Sequence, residues 1–119
     1  MRLLHLMTNI FLVSIFFAQE DKNDWPNLNR YQKDNTIIGE NNKNGPRVVF
    51  IGNSITEGWD WHYPQFFKNN KNYYNRGISG QTTPQMLIRF RQDVIDLDPD
   101  IVVILAGLEC DYYSSWTFN

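Results

Sequence analysis

The sequence predicts an α/β fold with a parallel sheet, and two short apolar runs carry most of that prediction. Residues 47–52 (RVVFIG) and 101–107 (IVVILAG) are rich in β-branched side chains and end in glycine. Such runs are typical of strands buried on both faces of a parallel sheet. Segments with helical spacing lie between them, so right-handed crossovers should join the strands.

The elements before the first strand are a lead-in and a linker. Asp24 is placed to cap a short helix that has Pro26 in its first turn. Trp25, Leu28 and Tyr31 recur every three residues, so we expect them to share one face that packs on the domain. Residues 40–46 contain no apolar side chain and end in Gly-Pro, which is typical of a solvated connector.

Two crossover helices and a middle strand follow. The first helix should run from Ile55 to about Phe67, with Gly58 and Pro64 breaking it into pieces. A short second strand is predicted over residues 73–75, ending in a glycine-bearing turn at 76–80. The second helix should be capped by Thr82 or Thr83 and stopped by Pro99. Its inward face is predicted from the spacing of four residues: Leu87, Phe90, Val94 and Leu97.

The N-terminal 18 residues are predicted to be a secretory signal peptide. Arg2 precedes an apolar run that ends at Ala18, after which the sequence becomes polar. The expected organisation is therefore a signal peptide at 1–18, a lead-in helix and linker at 19–46 and a partial α/β domain at 47–119. This predicts a secreted or periplasmic protein with no membrane span after cleavage, the alternative being a hydrophobic anchor or an exposed N-terminal helix.

Composition excludes several function classes. The 119 residues carry 11 basic and 13 acidic side chains, a formal charge of −2, which disfavours a nucleic-acid-binding module. With two histidines and the lone Cys110, neither a metal site nor a disulfide is expected. No phosphate-binding or dinucleotide-binding glycine motif follows the first strand, so no cofactor is predicted.

Ser54 is the candidate nucleophile. Ligands in parallel α/β sheets bind at the carboxyl ends of the strands, here the segments 52–54, 77–80 and 106–107. A serine at a strand-to-helix junction can attack an acyl carbon while its own amide stabilises the oxyanion. Position alone favours the alternative that Ser54 is an ordinary N-cap, but it does not decide between the two.

Three blocks of sequence at these strand ends resemble the SGNH, or GDSL-type, hydrolases. Residues 52–56 (GNSIT) resemble the family's GDSIT block, residues 75–82 (NRGISGQT) its second block and residues 103–107 (VILAG) the approach to its third. The resemblance implies a three-layer flavodoxin-like fold, of which this chain carries the N-terminal half. It also implies a secreted bacterial esterase or acylhydrolase acting on acyl or acetyl esters, including carbohydrate-linked ones.

The resemblance assigns roles residue by residue. Ser54 becomes the nucleophile, and the amides of Ser54 and Gly80 become the oxyanion hole. Asn53 stands where the family has aspartate, which we expect to be tolerated. Asn53, Gln81 and Thr82 are candidate substrate contacts, although helix capping explains the threonine as well.

The match ends after Gly107. Glu109 occupies the position of the family's oxyanion-binding asparagine, and no histidine follows His62 to supply the Asp-x-x-His base. His62 would lie about 12 Å along a helix from Ser54, too far to act as the base. The sequence suggests a frameshift or premature stop near Gly107, or else a short variant whose Asp111, Tyr112 and Tyr113 form a binding surface. A non-catalytic carbohydrate- or ester-binding module is the alternative function.

Overall fold

The computed structural model describes residues 23–41 and 43–107. The predicted signal peptide and the residues from Leu108 onward, including Glu109 and Asp111, lie outside this part. The described chain contains four α-helices, α1 (Gln32–Glu40), α2 (Ser54–His62), α3 (Pro64–Asn69) and α4 (Thr83–Asp93), and three strands, β1 (Val48–Gly52), β2 (Tyr73–Gly77) and β3 (Ile101–Leu105).

The strands form a parallel sheet in the order β2-β1-β3. All five residues of the central β1 are buried, as its unbroken apolar pattern predicts. The chain runs to one side of β1 to form β2 and to the other side to form β3. This order creates a switch point between β1 and β3, where a crevice opens at the carboxyl ends of the strands. The predicted α/β fold is confirmed.

Helices cover both faces of the sheet. On one face α1 and α4 pack over an apolar core centred on β1 and containing Ile38, Val49, Ile51, Met86, Val94 and Leu97. The opposite face carries an aromatic cluster from β1, β2, α2 and α3, made of Phe50, Trp59, Phe66, Phe67 and Tyr73. Trp59 stacks on Phe66 with ring centres 5.0 Å apart. The alternation of β1 side chains thus produces the three layers.

The break between α2 and α3 falls at Tyr63 and not at Gly58. The prediction that Gly58 interrupts the helix is wrong, because α2 continues through it to His62. One glycine weakens a helix by only about 1 kcal/mol relative to alanine, which packing readily offsets. Pro64 acts as predicted, since it ends the first helix and begins α3 as its first residue.

Helix α4 begins as predicted, and three of the four residues predicted to face inward do so, since Val94 and Leu97 are buried in the core and Phe90 packs against it. Thr82 is its N-cap in a capping box with Gln85. The prediction for Leu87 is wrong, since 73% of that residue is exposed. The buried face also includes Met86, Arg89 and Asp93, and the helix ends at Asp93 rather than near Pro99.

The lead-in is attached to α4 through its backbone. The Asp24 carboxylate accepts hydrogen bonds from the amides of Leu28 and Asn29, so it caps a 3-10 turn over Leu28–Arg30. Trp25 is 59% exposed, which contradicts its predicted packing role. Attachment depends on three glutamine side chains that donate to carbonyls of residues 26, 25 and 28: Gln81 (2.6 Å), Gln85 (2.8 Å) and Gln92 (2.6 Å).

The outer strand β3 remains open to solvent in the described structure. Ile101, Val103 and Ile104 are 53%, 40% and 57% exposed. A groove of about 410 Å³ separates this strand from α2. An apolar surface therefore flanks the crevice side of the sheet. None of the described helices has the length and hydrophobicity needed to cross a membrane.

Candidate active site

The three strand ends meet at one edge of the sheet. Gly52 pairs with Gly77 on one side and with Leu105 on the other. The candidate site predicted from the sequence consists of the segments that follow these three residues. They begin at neighbouring points of the sheet, on both sides of the switch point between β1 and β3.

Ser54 is the first residue of α2 and does not cap it. The cap is Asn53, whose side-chain oxygen accepts a hydrogen bond from the Ile55 amide at 3.1 Å. The alternative that Ser54 serves as the N-cap is therefore wrong. Ser54 is exposed, and its hydroxyl has no partner within residues 23–41 and 43–107. Its amide belongs to the first turn, where a helix leaves N–H groups unused and carries partial positive charge.

The turn that carries Gly80 is joined to α2 and β1. The Ile78 amide donates to the Gly52 carbonyl at 3.0 Å, which links this turn directly to the end of β1. Gly80 has a φ of +74°, a conformation that favours glycine, and nothing lies within 4 Å of where a Cβ would be. The turn thus presents Gly80 at an open surface beside Ser54's helix.

Glu57 binds the same turn through its carboxylate. Its carboxylate accepts hydrogen bonds from the amide of Ser79 at 2.8 Å and from the Ser79 hydroxyl, and it forms an ion pair with Arg30 at 3.2 Å. Partial burial alone would raise the pKa of Glu57. The Ser79 and Arg30 hydrogen bonds outweigh that effect and lower the pKa below its usual range.

We expect this contact to weaken in acid. Because the folded-state pKa of Glu57 lies below its unfolded value, the ionised side chain stabilises the fold above the ordinary glutamate pKa of about 4.3. That stabilisation is lost as the pH falls through the folded-state pKa. Denaturant unfolding at about pH 6 and about pH 3.5 should therefore show a Glu57→Gln difference that shrinks in acid. Glu40→Gln, at the exposed end of α1, is the control, and an equal Glu57→Gln difference at both pH values would contradict the prediction.

The third strand end is positioned by α4. The Gly107 amide donates to the Thr83 hydroxyl at 3.0 Å, and Gly107 has a φ of +79°. The described part of the chain ends here. The approach to the third block therefore lies where the sequence predicts it, next to the first turn of α4.

A sequence model of the GDSL-like lipase/acylhydrolase family matches residues 50–109, about half of the chain and all three strand ends. The chain belongs to this family. The resemblance seen in the sequence is thereby confirmed.

Solved GDSL-like structures share this fold. Crystal structures of a protein described as an acylhydrolase from Bacteroides fragilis and of a GDSL-like lipase from Bacteroides thetaiotaomicron are 52% and 53% identical to the chain, with TM-scores of 0.66 and 0.64. They cover 76% and 70% of this chain. The chain is also 34% identical over 73 residues to an uncharacterized lipoprotein, YqeF, of Bacillus subtilis. It spans 41% and 40% of the two solved chains and 30% of the lipoprotein.

Two candidate substrate contacts of this GDSL-like chain are buried, and their side chains already form hydrogen bonds within the protein. Asn53 is 7% exposed and its oxygen caps α2. Gln81 is 5% exposed, its amide nitrogen donates to the Pro26 carbonyl and its oxygen accepts from Arg89. These contacts speak against a role in binding substrate. Thr82 is half-buried and contributes to the capping box, as the capping alternative predicts.

His62 and the aromatic residues around it lie away from Ser54. His62 is the last residue of the helix whose first residue is Ser54, so eight residues and about 12 Å of helix separate them. Trp61 and Tyr63, at the same far end, are 68% and 65% exposed. Trp59 belongs to the aromatic cluster. These side chains therefore do not gather around the GDSL-like serine.

Sequence reasoning missed the buried polar groups beneath the site. Arg89 and Asp93 are completely buried and form an ion pair at 3.0 Å. Their only sequence signal is the i, i+4 spacing of opposite charges, which is also usual on exposed helix faces. Glu57 was missed too, because its partner Ser79 lies on another element. Within the described chain, no three potential metal-ligating side chains form a group.

Proposed function

We propose that this chain carries the nucleophile and two oxyanion donors of a serine ester hydrolase. Ser54 Oγ would attack the carbonyl carbon of an ester, and the amides of Ser54 and Gly80 would stabilise the negative oxygen of the tetrahedral intermediate. The bond to the alcohol then breaks, leaving the acyl group on Ser54. Water hydrolyses that acyl-enzyme in a second step, which releases the acid and restores the serine.

The observation that carries this proposal is that the Ser54 hydroxyl is exposed and has no hydrogen-bond partner in the described part of the chain. A serine at a strand-to-helix junction often serves as the N-cap, but here Asn53 does so. The side chain is therefore free to react, at the positive end of α2. Family membership supports ester hydrolysis in general, and we propose small acyl or acetyl esters, including carbohydrate-linked ones, as the substrate class.

Turnover of p-nitrophenyl acetate tests the proposal. Because no histidine follows His62, the general base is supplied from solution as imidazole, which also hydrolyses the ester directly. The quantity to measure is thus the imidazole-dependent rate of the wild-type protein minus that of Ser54→Ala. We expect a positive difference that saturates with ester concentration. Thr36→Ala, which removes an exposed hydroxyl on α1, should keep the wild-type rate.

Equal rates for the wild type and Ser54→Ala would refute the nucleophile. If such a protein still binds acyl sugars, the non-catalytic binding module becomes the better description. The exposed aromatics at the far end of α2 would then be the first side chains to change, because they are the ones free to stack on a sugar.

We further propose that the protein is exported, to the periplasm or the outside of the cell. The predicted leader supports this, and the related Bacillus protein is described as a lipoprotein. N-terminal sequencing of the protein recovered outside the cytoplasm should show that the mature chain begins after the leader.

A further inference from the structure

Arg89 is a buried charge with partners on three different segments. The residue is fully buried in α4, and every nitrogen of its guanidinium has an acceptor. Nη1 donates to the Asp93 carboxylate at 3.0 Å, Nη2 to the Gly52 carbonyl at 3.2 Å and Nε to the side-chain oxygen of Gln81. Only Asp93 lies on the same helix.

An apolar residue would fill this position with less desolvation cost. The neighbouring buried positions of α4 and the following turn are Met86, Val94 and Leu97. Removing two charges from water costs several kcal/mol per ion, and buried ion pairs often stabilise a fold no better than apolar packing does. Net stability therefore does not explain why charged residues occupy these buried positions. The explanation must lie in the arrangement of their contacts.

The two partners outside α4 flank the proposed oxyanion hole. Gly52 lies two residues before Ser54, and Gln81 directly follows Gly80. The Gly52 carbonyl also accepts the Ile78 amide, so both turns and the guanidinium meet at one oxygen. The rigid, planar guanidinium fixes the distance and angle between its acceptors in a way that a lysine ammonium does not.

We propose that Arg89 is a positioning residue that sets the spacing between the Ser54 and Gly80 amides. This inference rests on the proposed function, since it assigns a purpose to the geometry of those two donors. Arg89 does not touch the reacting atoms. It acts through the Gly52 carbonyl and the Gln81 side chain, and Asp93 keeps its guanidinium oriented and its charge compensated.

Amide hydrogen exchange in the full chain tests this without requiring turnover. The reporters are the Ile78 amide, which is hydrogen-bonded to the Gly52 carbonyl, and the Gln81 amide, which is hydrogen-bonded to the Ile78 carbonyl. The reference is the hydrogen-bonded Val48 amide at the other end of β1. In Arg89→Lys we expect the two reporters to exchange about tenfold faster relative to Val48. The control is Arg91→Lys on the exposed side of α4, which should leave the ratio unchanged.

A double variant keeps the test valid if the single one unfolds. Arg89→Met with Asp93→Leu removes both charges together, so no uncompensated ion remains in the core. The reporters should again exchange faster relative to Val48. A uniform rise at all amides, or no rise at Ile78 and Gln81, would overturn the proposal, because a merely structural role predicts loss of stability everywhere.

The activity arm separates this inference from the proposed function. In the imidazole-supported assay, Arg89→Lys should lower kcat by about a hundredfold and leave KM unchanged, since a displaced donor affects only the transition state. If no Ser54-dependent turnover exists, the proposed function fails while the exchange ratios still decide the role of Arg89. If turnover exists and kcat is unaltered in Arg89→Lys, the inference fails alone.

Discussion

Replacing Gly77 with alanine is expected to destabilise the protein by about 3 kcal/mol, the upper end of the usual cost of overpacking. A Cβ on Gly77 would lie 2.1 Å from the backbone nitrogen of Glu57 and 2.7 Å from its Cα. Both atoms belong to the main chain of α2, so no side-chain rotation relieves the clash. The helix would have to move away from the end of β2.

The matched control is Gly39→Ala in α1. A Cβ there meets nothing within 4 Å, and alanine is favoured over glycine in a helix by about 0.5–1 kcal/mol. Urea unfolding of the two variants should therefore shift the midpoint in opposite directions. A Gly77→Ala midpoint equal to that of the wild type would mean that α2 does not contact β2 as closely as described.

Removing Asp93 is expected to cost about 3–5 kcal/mol, because it leaves the Arg89 guanidinium buried without a counter-charge. Burial lowers the pKa of Arg89, and the Asp93 carboxylate opposes that shift. Asp93 also accepts a hydrogen bond from Asn35 of α1 at 2.6 Å, so its loss affects the contact between two helices. The single variants Asp93→Leu and Arg89→Met and the pair Arg89→Met/Asp93→Leu should be compared by denaturant unfolding.

The double variant should be more stable than Asp93→Leu alone. Once both charges are gone, the remaining side chains can pack as an apolar patch beside Met86 and Leu97. A double-mutant cycle in which the two single costs simply add would show that the ion pair contributes no coupling. Such additivity would contradict the contact described here.

Local pattern predicts the sheet well and the charged interior poorly. Strands β1 and β3 were predictable because a short, unbroken run of β-branched residues that ends in glycine is typical of a buried strand. Helix α1 was not, since it buries only Ile38 and its remaining side chains are mostly polar. Its place in the fold depends on Asn35 and Asp34, which bind Arg76 of β2.

Helix α4 shows why spacing alone could not identify the buried face. Leu87, Phe90 and Val94 satisfy a helical repeat, and so do Met86, Phe90 and Asp93. Hydrophobicity favours the first set. The structure leaves only Leu87 of the first set exposed and buries Met86 and Asp93 as well, because the Gly52 carbonyl and Gln81 supply acceptors for the neighbouring Arg89. Those partners lie outside the helix, so the helix sequence alone does not indicate them.

The candidate site was also predictable only in part. Ser54 and the glycines at the strand ends were predictable because turns after parallel strands converge. The cap could not be assigned from sequence, since Asn53 and Ser54 are both good capping residues. Only the backbone conformation distinguishes them, and it places the first helical residue at Ser54.

The way the lead-in is fastened has a consequence for how freely that segment can vary. Three glutamine side chains of the domain hold it by main-chain carbonyls, which every amino acid possesses. Exchanging Trp25 or Leu28 for unrelated residues should therefore leave the attachment intact as long as the backbone follows the same path. Variation at Trp25 and Leu28 should therefore be tolerated, whereas each of the three glutamines has a fixed reach and cannot be shortened without losing its hydrogen bond.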